Sequence, residues 1–194
     1  MKVILTGCTG FIGDEVLLQC RADPAITSII ALTRRALSEA VHADPKVQVV
    51  VIKDFNTYPE DVVKQLDGAD ACIWCMGTTA AVREVEIDYP LAFANAFAPT
   101  LAAQQKPFRY IHCSGRLAEK DQTKPLLFLQ EGRRIKGIAE LEMMAMEQKH
   151  ELHGGRWVTF VAKPAMVLRK EGDVLKRLGG YAIGAVRVDD LAAP

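Results

Sequence analysis

At 194 residues the chain is long enough for one hydrophobic core and short for two. Hydrophobic residues make up 49% of it, charged residues 25%, and 24 Lys+Arg balance 24 Asp+Glu, the profile of an ordinary soluble globular protein. Zero net charge argues against a nucleic-acid partner, which needs a basic surplus or stripe, and no apolar run approaches the roughly 20 residues of a membrane span.

Read in chain order, the sequence opens on a strand, Lys2 to Thr6, with no signal peptide before it, so a cytoplasmic location is expected. Gly7, Gly10 and Gly13 follow, and an apolar helix is predicted from Phe11 to Arg21. Further strands are predicted at Ser28 to Thr33, Val47 to Ile52, Ala71 to Cys75, Arg109 to Cys113 and Trp157 to Ala162. Most are almost continuously apolar, as in a parallel sheet covered on both faces. Helices are predicted between them at Pro59 to Leu66, Tyr89 to Gln105 and about Pro125 to Lys149. The last carries Ile135, Ile138, Leu141 and Ala145 at helical spacing.

This alternation implies right-handed βαβ crossovers and an α/β, doubly wound Rossmann fold. The whole of 1–194 reads as a single domain, with 1–164 as core and 165–194 as a small C-terminal cap on the substrate side. Beyond Pro164 the pattern thins to Glu171 to Leu178, a Gly179-Gly180 turn, and Val186 to Asp190. Five cysteines without a secretion signal point to free thiols. Cys72 and Cys75 have CxxC spacing, but residues three apart on a strand point to opposite faces, and no second pair supports a metal site.

The glycine run sits between a strand and a helix, where each glycine has its own task. Gly7 turns the strand sharply, Gly10 lets backbone approach a pyrophosphate, and Gly13 lets helix and strand pack closely. The helix N-terminus then offers N–H groups and a positive dipole to phosphates. Thr9, Phe11 and Ile12 complete the loop that would contact the dinucleotide. The second strand ends in Thr33-Arg34-Arg35 with no acid in the turn. A carboxylate there suits the ribose 2′-hydroxyl of NAD(H), whereas guanidinium groups suit the 2′-phosphate of NADP(H), so NADP(H) is the cofactor expected.

Thr6-Gly7-Cys8-Thr9-Gly10-Phe11-Ile12-Gly13, Leu32 to Arg35, Lys53-Asp54-Phe55, Cys75 to Thr79, and Cys113-Ser114-Gly115 with Lys136 beyond it resemble the extended and atypical short-chain dehydrogenases/reductases over most of the chain. The run Trp74 to Thr79 is most similar to the atypical subgroup containing the TIP30-type proteins. The resemblance implies that Asp54 and Phe55 border the adenine and that Met76 and Gly77 lie beside the nicotinamide ribose. It also implies that Lys163-Pro164-Ala165 stands where the family's Arg-Pro-Gly flanks the carboxamide, and that Val186 to Ala192 stands where a further helix begins.

The family's catalytic set is Ser, Tyr and Lys, the last two as Tyr-x-x-x-Lys on one helix. Ser114 and Lys136 match it, but Gly132 stands where the tyrosine belongs. His112 is the substitute placed nearest, on the face of the strand that carries Ser114; Tyr110 shares that face about 13 Å deeper, and Tyr89 and Glu131 have no spacing rule to select them. Three functions therefore stand side by side: an NADP(H)-dependent reductase of a small carbonyl compound, a non-redox isomerase or cyclase on the same scaffold, and a non-enzymatic NADP(H)-sensing interaction protein. The partners expected are a small-molecule substrate and a second copy of the chain.

Overall fold

A computed structural model describes residues 1–168 and 185–187. Six strands form one parallel sheet: β1 (Lys2–Thr6), β2 (Ser28–Thr33), β3 (Val47–Val51), β4 (Ala71–Trp74), β5 (Phe108–Cys113) and β6 (Trp157–Ala162). Their order is β3-β2-β1-β4-β5-β6, the doubly wound Rossmann order. The chain runs outward from β1 in one direction, then returns to β4 and runs the other way. The crevice at the carboxyl ends of β1 and β4 is the place where such sheets bind ligands.

Helices α1 (Phe11–Ala22), α2 (Glu39–His42), α3 (Glu60–Leu66), α4 (Tyr89–Phe97), α5 (Gln130–Ala145) and α6 (His150–His153) connect the strands. One face of the sheet buries an aromatic layer in which Phe55, Trp74, Phe93, Phe97, Phe108, Tyr110 and Trp157 pack together. The other buries smaller side chains, among them Val3, Leu5, Ile29 and Ala31, against Val16 and Leu17 of α1. Burial on both faces is why the strands read as apolar runs rather than alternating ones.

The helix boundaries depart from expectation where the backbone breaks regularity. The long C-terminal helix starts at Gln130, not near Pro125, because Leu129 takes a left-handed conformation with φ 49° and ends the preceding loop. The helix predicted over Tyr89 to Gln105 is two pieces, α4 and a 3₁₀ stretch over Ala98–Ala103, and a π-turn over Glu84–Asp88 precedes them. Pro99 has no N–H for an i→i−4 bond, so the α-helix tightens there. Beyond the large sheet, β7 (Met166–Leu168) pairs in parallel with β8 (Ala185–Arg187). Val186 and Arg187, expected at the start of a helix, therefore lie in a strand. The candidate helix Glu171 to Leu178, the Gly179-Gly180 turn and positions 188–192 lie outside the described residues.

Candidate cofactor and active site

Every segment picked out by the sequence lies at the carboxyl end of a strand. The glycine loop follows β1, Arg34 and Arg35 follow β2, and Asp54 follows β3; Met76 and Gly77 follow β4, Ser114 follows β5, and Pro164 follows β6. At Gly7 the backbone is left-handed, φ 73°, and a Cβ would lie 2.6 Å from the carbonyl carbon and oxygen of Cys75 and 2.8 Å from Met76 N. A Cβ on Gly13 would fall on the Gly7 carbonyl. Both positions exclude any other residue, so β1, α1 and the segment after β4 meet at backbone contact. Gly10 N donates to Gly7 O at 2.8 Å, and Asp14 N to Gly10 O at 2.9 Å, which starts α1. Thr9, Gly10 and Phe11 face solvent, while Ile12 is half-buried.

The surroundings of the other cofactor candidates differ from one another. Arg34 and Arg35 are exposed, and neither has an ion-pair partner among the described residues. Asp54 is exposed and caps its own turn, accepting from Asn56 N at 2.8 Å. Phe55 is 1% exposed, with its ring against Trp74 and Tyr89, which leaves only its backbone to face an adenine. Met76 is half-buried and Gly77 exposed. Pro164 is buried and its carbonyl accepts from Arg116 N at 2.9 Å, tying the segments after β5 and β6 together.

Two buried carboxylates organise the region around Ser114 and Lys136, and the sequence alone selected neither. Glu86, on the π-turn before α4, accepts from Lys136 Nζ at 2.8 Å and from Thr78 N at 2.6 Å. A π-turn shifts the helix register, and such turns recur at functional sites. Here it turns a carboxylate inward against the loop after β4. Glu140, one turn beyond Lys136 on α5, is wholly buried. It accepts from Ser114 Oγ at 2.6 Å, and Lys163 Nζ lies 3.0 Å from its carboxylate, with Lys120 Nζ at 3.6 Å. A carboxylate so deeply buried is tolerable only with such compensation.

Ser114 and Lys136 are thus brought to one region, each held by its own carboxylate. Because the single Ser114 proton is engaged by Glu140, donation to a substrate carbonyl requires Glu140 to turn away or accept a proton. Lys136 has three N–H groups; Glu86 takes one, leaving two for other acceptors. His112 is sealed in the aromatic layer, 3% exposed, with Nδ1 3.3 Å from Tyr110 Oη. Burial, reinforced by the nearby Lys136 charge, pulls its imidazole down to about 4, so it is neutral near pH 7. Tyr110 is fully buried, which pushes its phenol up. Tyr89 is buried beside Phe55, and Glu131 is exposed on the first turn of α5. Among the described residues no phenol takes the missing place: a Cβ on Gly132 would be 3.2 Å from the Cβ of Ala81, a buried residue with φ 49° in the loop after β4.

The strand order and the glycine cradle at the β1/β4 crevice decide the fold. It is a doubly wound Rossmann fold. A short-chain dehydrogenase from Burkholderia cenocepacia in complex with NADP superimposes with a TM-score of 0.73 at 16% identity, covering 98% of this chain and 80% of that one. Gre2 from Candida albicans in complex with NADPH gives 0.68 at 15% identity, covering 99% and 72%. A dTDP-glucose 4,6-dehydratase from Bacillus anthracis in complex with NAD gives 0.71 at 12% identity, covering 99% and 69%. No family model matches the chain.

Among curated proteins, "Leucinostatins biosynthesis cluster protein T" of Purpureocillium lilacinum is 32% identical over 120 residues, 59% of this chain and 42% of that protein. "Protein FMP52, mitochondrial" of Candida albicans is 27% identical over 101 residues, 50% of this chain and 44% of that protein. The chain therefore spans less than half the length of these two relatives. "Protein fmp52-1, mitochondrial" of Aspergillus terreus is 25% identical over 187 residues, 94% of this chain and 75% of that protein. Among the described residues no helix is long and apolar enough to cross a membrane.

Proposed function

We propose that this chain binds NADP(H) and reduces a small carbonyl compound, as an atypical short-chain reductase nearest the TIP30-type subgroup. The observation that carries the proposal is the close backbone cradle of Gly7 and Gly13 at the β1/β4 crevice, with exposed Arg34 and Arg35 beside it. The glycine loop and the α1 N-terminus would hold the diphosphate, and the two arginines a 2′-phosphate. The Asp54–Phe55 backbone would border the adenine. Met76, Gly77, Pro164 and one of the two remaining N–H groups of Lys136 would border the nicotinamide riboside, leaving the other for the substrate. The bound cofactor would supply a hydride.

Position 132 has no phenol to give the proton. Lys136 is the group best placed: its ammonium N–H breaks as the substrate oxygen takes the proton, and Glu86 holds the nitrogen in position throughout. Ser114 orients the carbonyl once Glu140 releases it. Residues 165–194 would close the substrate side, with β7 and β8 as the described part of that closure. The free thiols support a cytoplasmic setting, although two relatives carry mitochondrial names; fractionation of cells expressing the tagged chain decides. Light scattering tests the further proposal of a homodimer.

The test of function mixes the protein with NADPH and a panel of aldehydes, ketones and quinones and follows loss of the reduced cofactor. Turnover that Lys136→Met abolishes, and that Lys136→Arg, which keeps the charge beside Glu86 but cannot give up its proton, does not restore, is the expected result. Tight NADPH binding without turnover of any carbonyl would overturn reduction and leave the non-enzymatic sensor. That reading has one observation in its favour, the closure of the tyrosine position by Ala81. Arg34→Asp with Arg35→Ala should lower the preference for NADPH over NADH by at least about tenfold, since each charged hydrogen bond lost is worth about 1.5–3 kcal/mol. An unchanged ratio would sink the NADP(H) assignment.

A further inference from the structure

The CxxC spacing paired the wrong cysteines. Cys72 is buried in the aromatic layer, while Cys75 packs on the opposite face of the sheet. The strand register shows what Cys75 does meet. Trp74 of β4 stands beside His112 of β5, so the next residues along, Cys75 and Cys113, stand beside each other. Alternation puts both on the face opposite Trp74 and His112. Their side chains therefore meet on that face, close enough for each thiol to bear on the other's ionisation. Both are half-buried, unlike Cys8, Cys20 and Cys72, which are buried.

We propose that Cys75 and Cys113 form a reversible disulfide on the floor of the dinucleotide cleft, with a peroxide as oxidant. Neighbouring parallel strands lie about 4.8 Å apart, within the Cα separation of about 4.4–6.8 Å that a disulfide spans, so a short movement of Cys75 toward β5 closes the bond. The two thiols are also chemically unequal. The neighbouring Cys75 thiol, helped by the charge of Lys136, favours the Cys113 thiolate, and the same contact, with burial, pushes the Cys75 thiol up. Cys113 is therefore the attacking sulfur and Cys75 the resolving one. Burial instead raises Cys8 to about 12 and Cys20 to about 11, which keeps them as unreactive thiols.

In the first step the Cys113 thiolate forms an S–O bond as the peroxide O–O bond breaks, and hydroxide leaves to take up a proton. In the second, Cys75 loses its proton and attacks the Cys113 sulfur. The S–S bond forms, the S–O bond breaks, and a second water departs. Two thiols have given up two electrons and two protons, and one hydrogen peroxide has become two waters. A dithiol returns the pair by exchange.

The position of the pair couples this chemistry to the site. The Cys75–Met76 peptide is the one against which Gly7 is pressed, with no room for even a Cβ. Ser114, the residue after Cys113, is the hydroxyl held by Glu140. Drawing Cys75 toward β5 displaces the wall on which the glycine loop rests. Oxidation therefore weakens dinucleotide binding, a consequence that rests on the cofactor reading above, whereas the disulfide itself does not.

The experiment treats the reduced full chain with stoichiometric hydrogen peroxide, blocks remaining thiols with N-ethylmaleimide, and records the intact mass and a non-reducing peptide map. The expected product has lost two hydrogens, carries two fewer alkylated thiols, contains a Cys75–Cys113 cross-link, and is restored by dithiothreitol. In Cys75→Ser, dimedone should trap a sulfenic acid on Cys113; in Cys113→Ser, neither product should form. No mass change in the wild type, or a map joining Cys8 to Cys75, overturns the proposal. Fluorescence titration with NADPH should find the oxidised chain weaker by at least about tenfold; equal affinity of the two forms overturns the coupling. If the reduced chain fails to bind NADPH, the cofactor reading falls while the disulfide stands on its map.

Discussion

The lysine ammonium at 136 and the carboxylate of Glu86 form a pair in which the buried partner has more to lose. Glu86 is 4% exposed at its side chain and Lys136 25%, so removing Lys136 strands a buried carboxylate, whereas removing the Glu86 charge leaves an ammonium that can reach water. Lys136→Met should therefore destabilise more than Glu86→Gln, by about 3 kcal/mol against about 1. Chemical denaturation of the two variants checks the order, and equal losses would mean that Glu86 is held chiefly by Thr78. His112 gives a pH signature of the opposite kind. Its imidazole titrates at about 4 in the fold against 6.5 for the ordinary group, because burial and then Lys136 oppose the charge. The unfolded chain binds that proton first as pH falls. Stability is thus fully present above about pH 6.5 and is lost progressively down to about pH 4, by about 3 kcal/mol at most. Melting curves across that range should slope less steeply for His112→Gln than for the wild type; identical slopes would remove His112 from the acid response.

At the scale of elements, the absent tyrosine is a packing fact as well as a chemical one. A Cβ on Gly132 of α5 would meet Ala81 more closely than ordinary van der Waals contact, and Ala81 is held by a loop that Thr78 and Glu86 staple in place. Restoring the family pattern by Gly132→Tyr should therefore cost about 1–3 kcal/mol of stability through overpacking and should not raise turnover. A stable variant with faster carbonyl reduction would show that the loop yields and that only the phenol was missing. The same region marks how far the sequence could be read. All six strands of the main sheet and the glycine cradle were legible, because a short, mostly apolar run that stops at a glycine, a hydroxyl or a charged residue has the length and composition of a strand buried on both faces. The start of α5 was not, since nothing in Leu126 to Leu129 announces a left-handed residue at Leu129. Glu86 and Glu140 left only a faint signal, a charged residue within the buried stripes Glu86-Ile87 and Ala139-Glu140-Met143. Periodicity treats such residues as interruptions. Their role rests on a π-turn and on partners 50 and 26 residues away along the chain, which no local pattern carries. The cysteine pair was hidden for the same reason, because register between β4 and β5 is a tertiary fact.

For the whole molecule, the crevice proposed to hold a dinucleotide lies where two halves of the sheet diverge, and the loops that line it belong to six different strands. A ligand that bridges those loops binds the folded chain and not the unfolded one, so it must raise stability by mass action. At a free concentration about one hundred times its dissociation constant, the gain is about 2.7 kcal/mol. In a domain of this size, each kcal/mol moves the midpoint by about 2–4 °C, so saturating NADPH should raise the melting temperature by about 5–10 °C. Two comparisons make the shift specific. NADH at the same concentration should give a smaller shift in the wild type, and the difference should shrink in the Arg34→Asp, Arg35→Ala variant, because only the 2′-phosphate distinguishes the two ligands. The shift should also shrink once the Cys75–Cys113 disulfide has closed, while Cys75→Ser treated with peroxide keeps more of it. Equal shifts for NADPH, NADH and a nucleotide lacking the nicotinamide would mean that the crevice recognises the adenosine diphosphate half alone, and Lys136 would then have no ribose to hold.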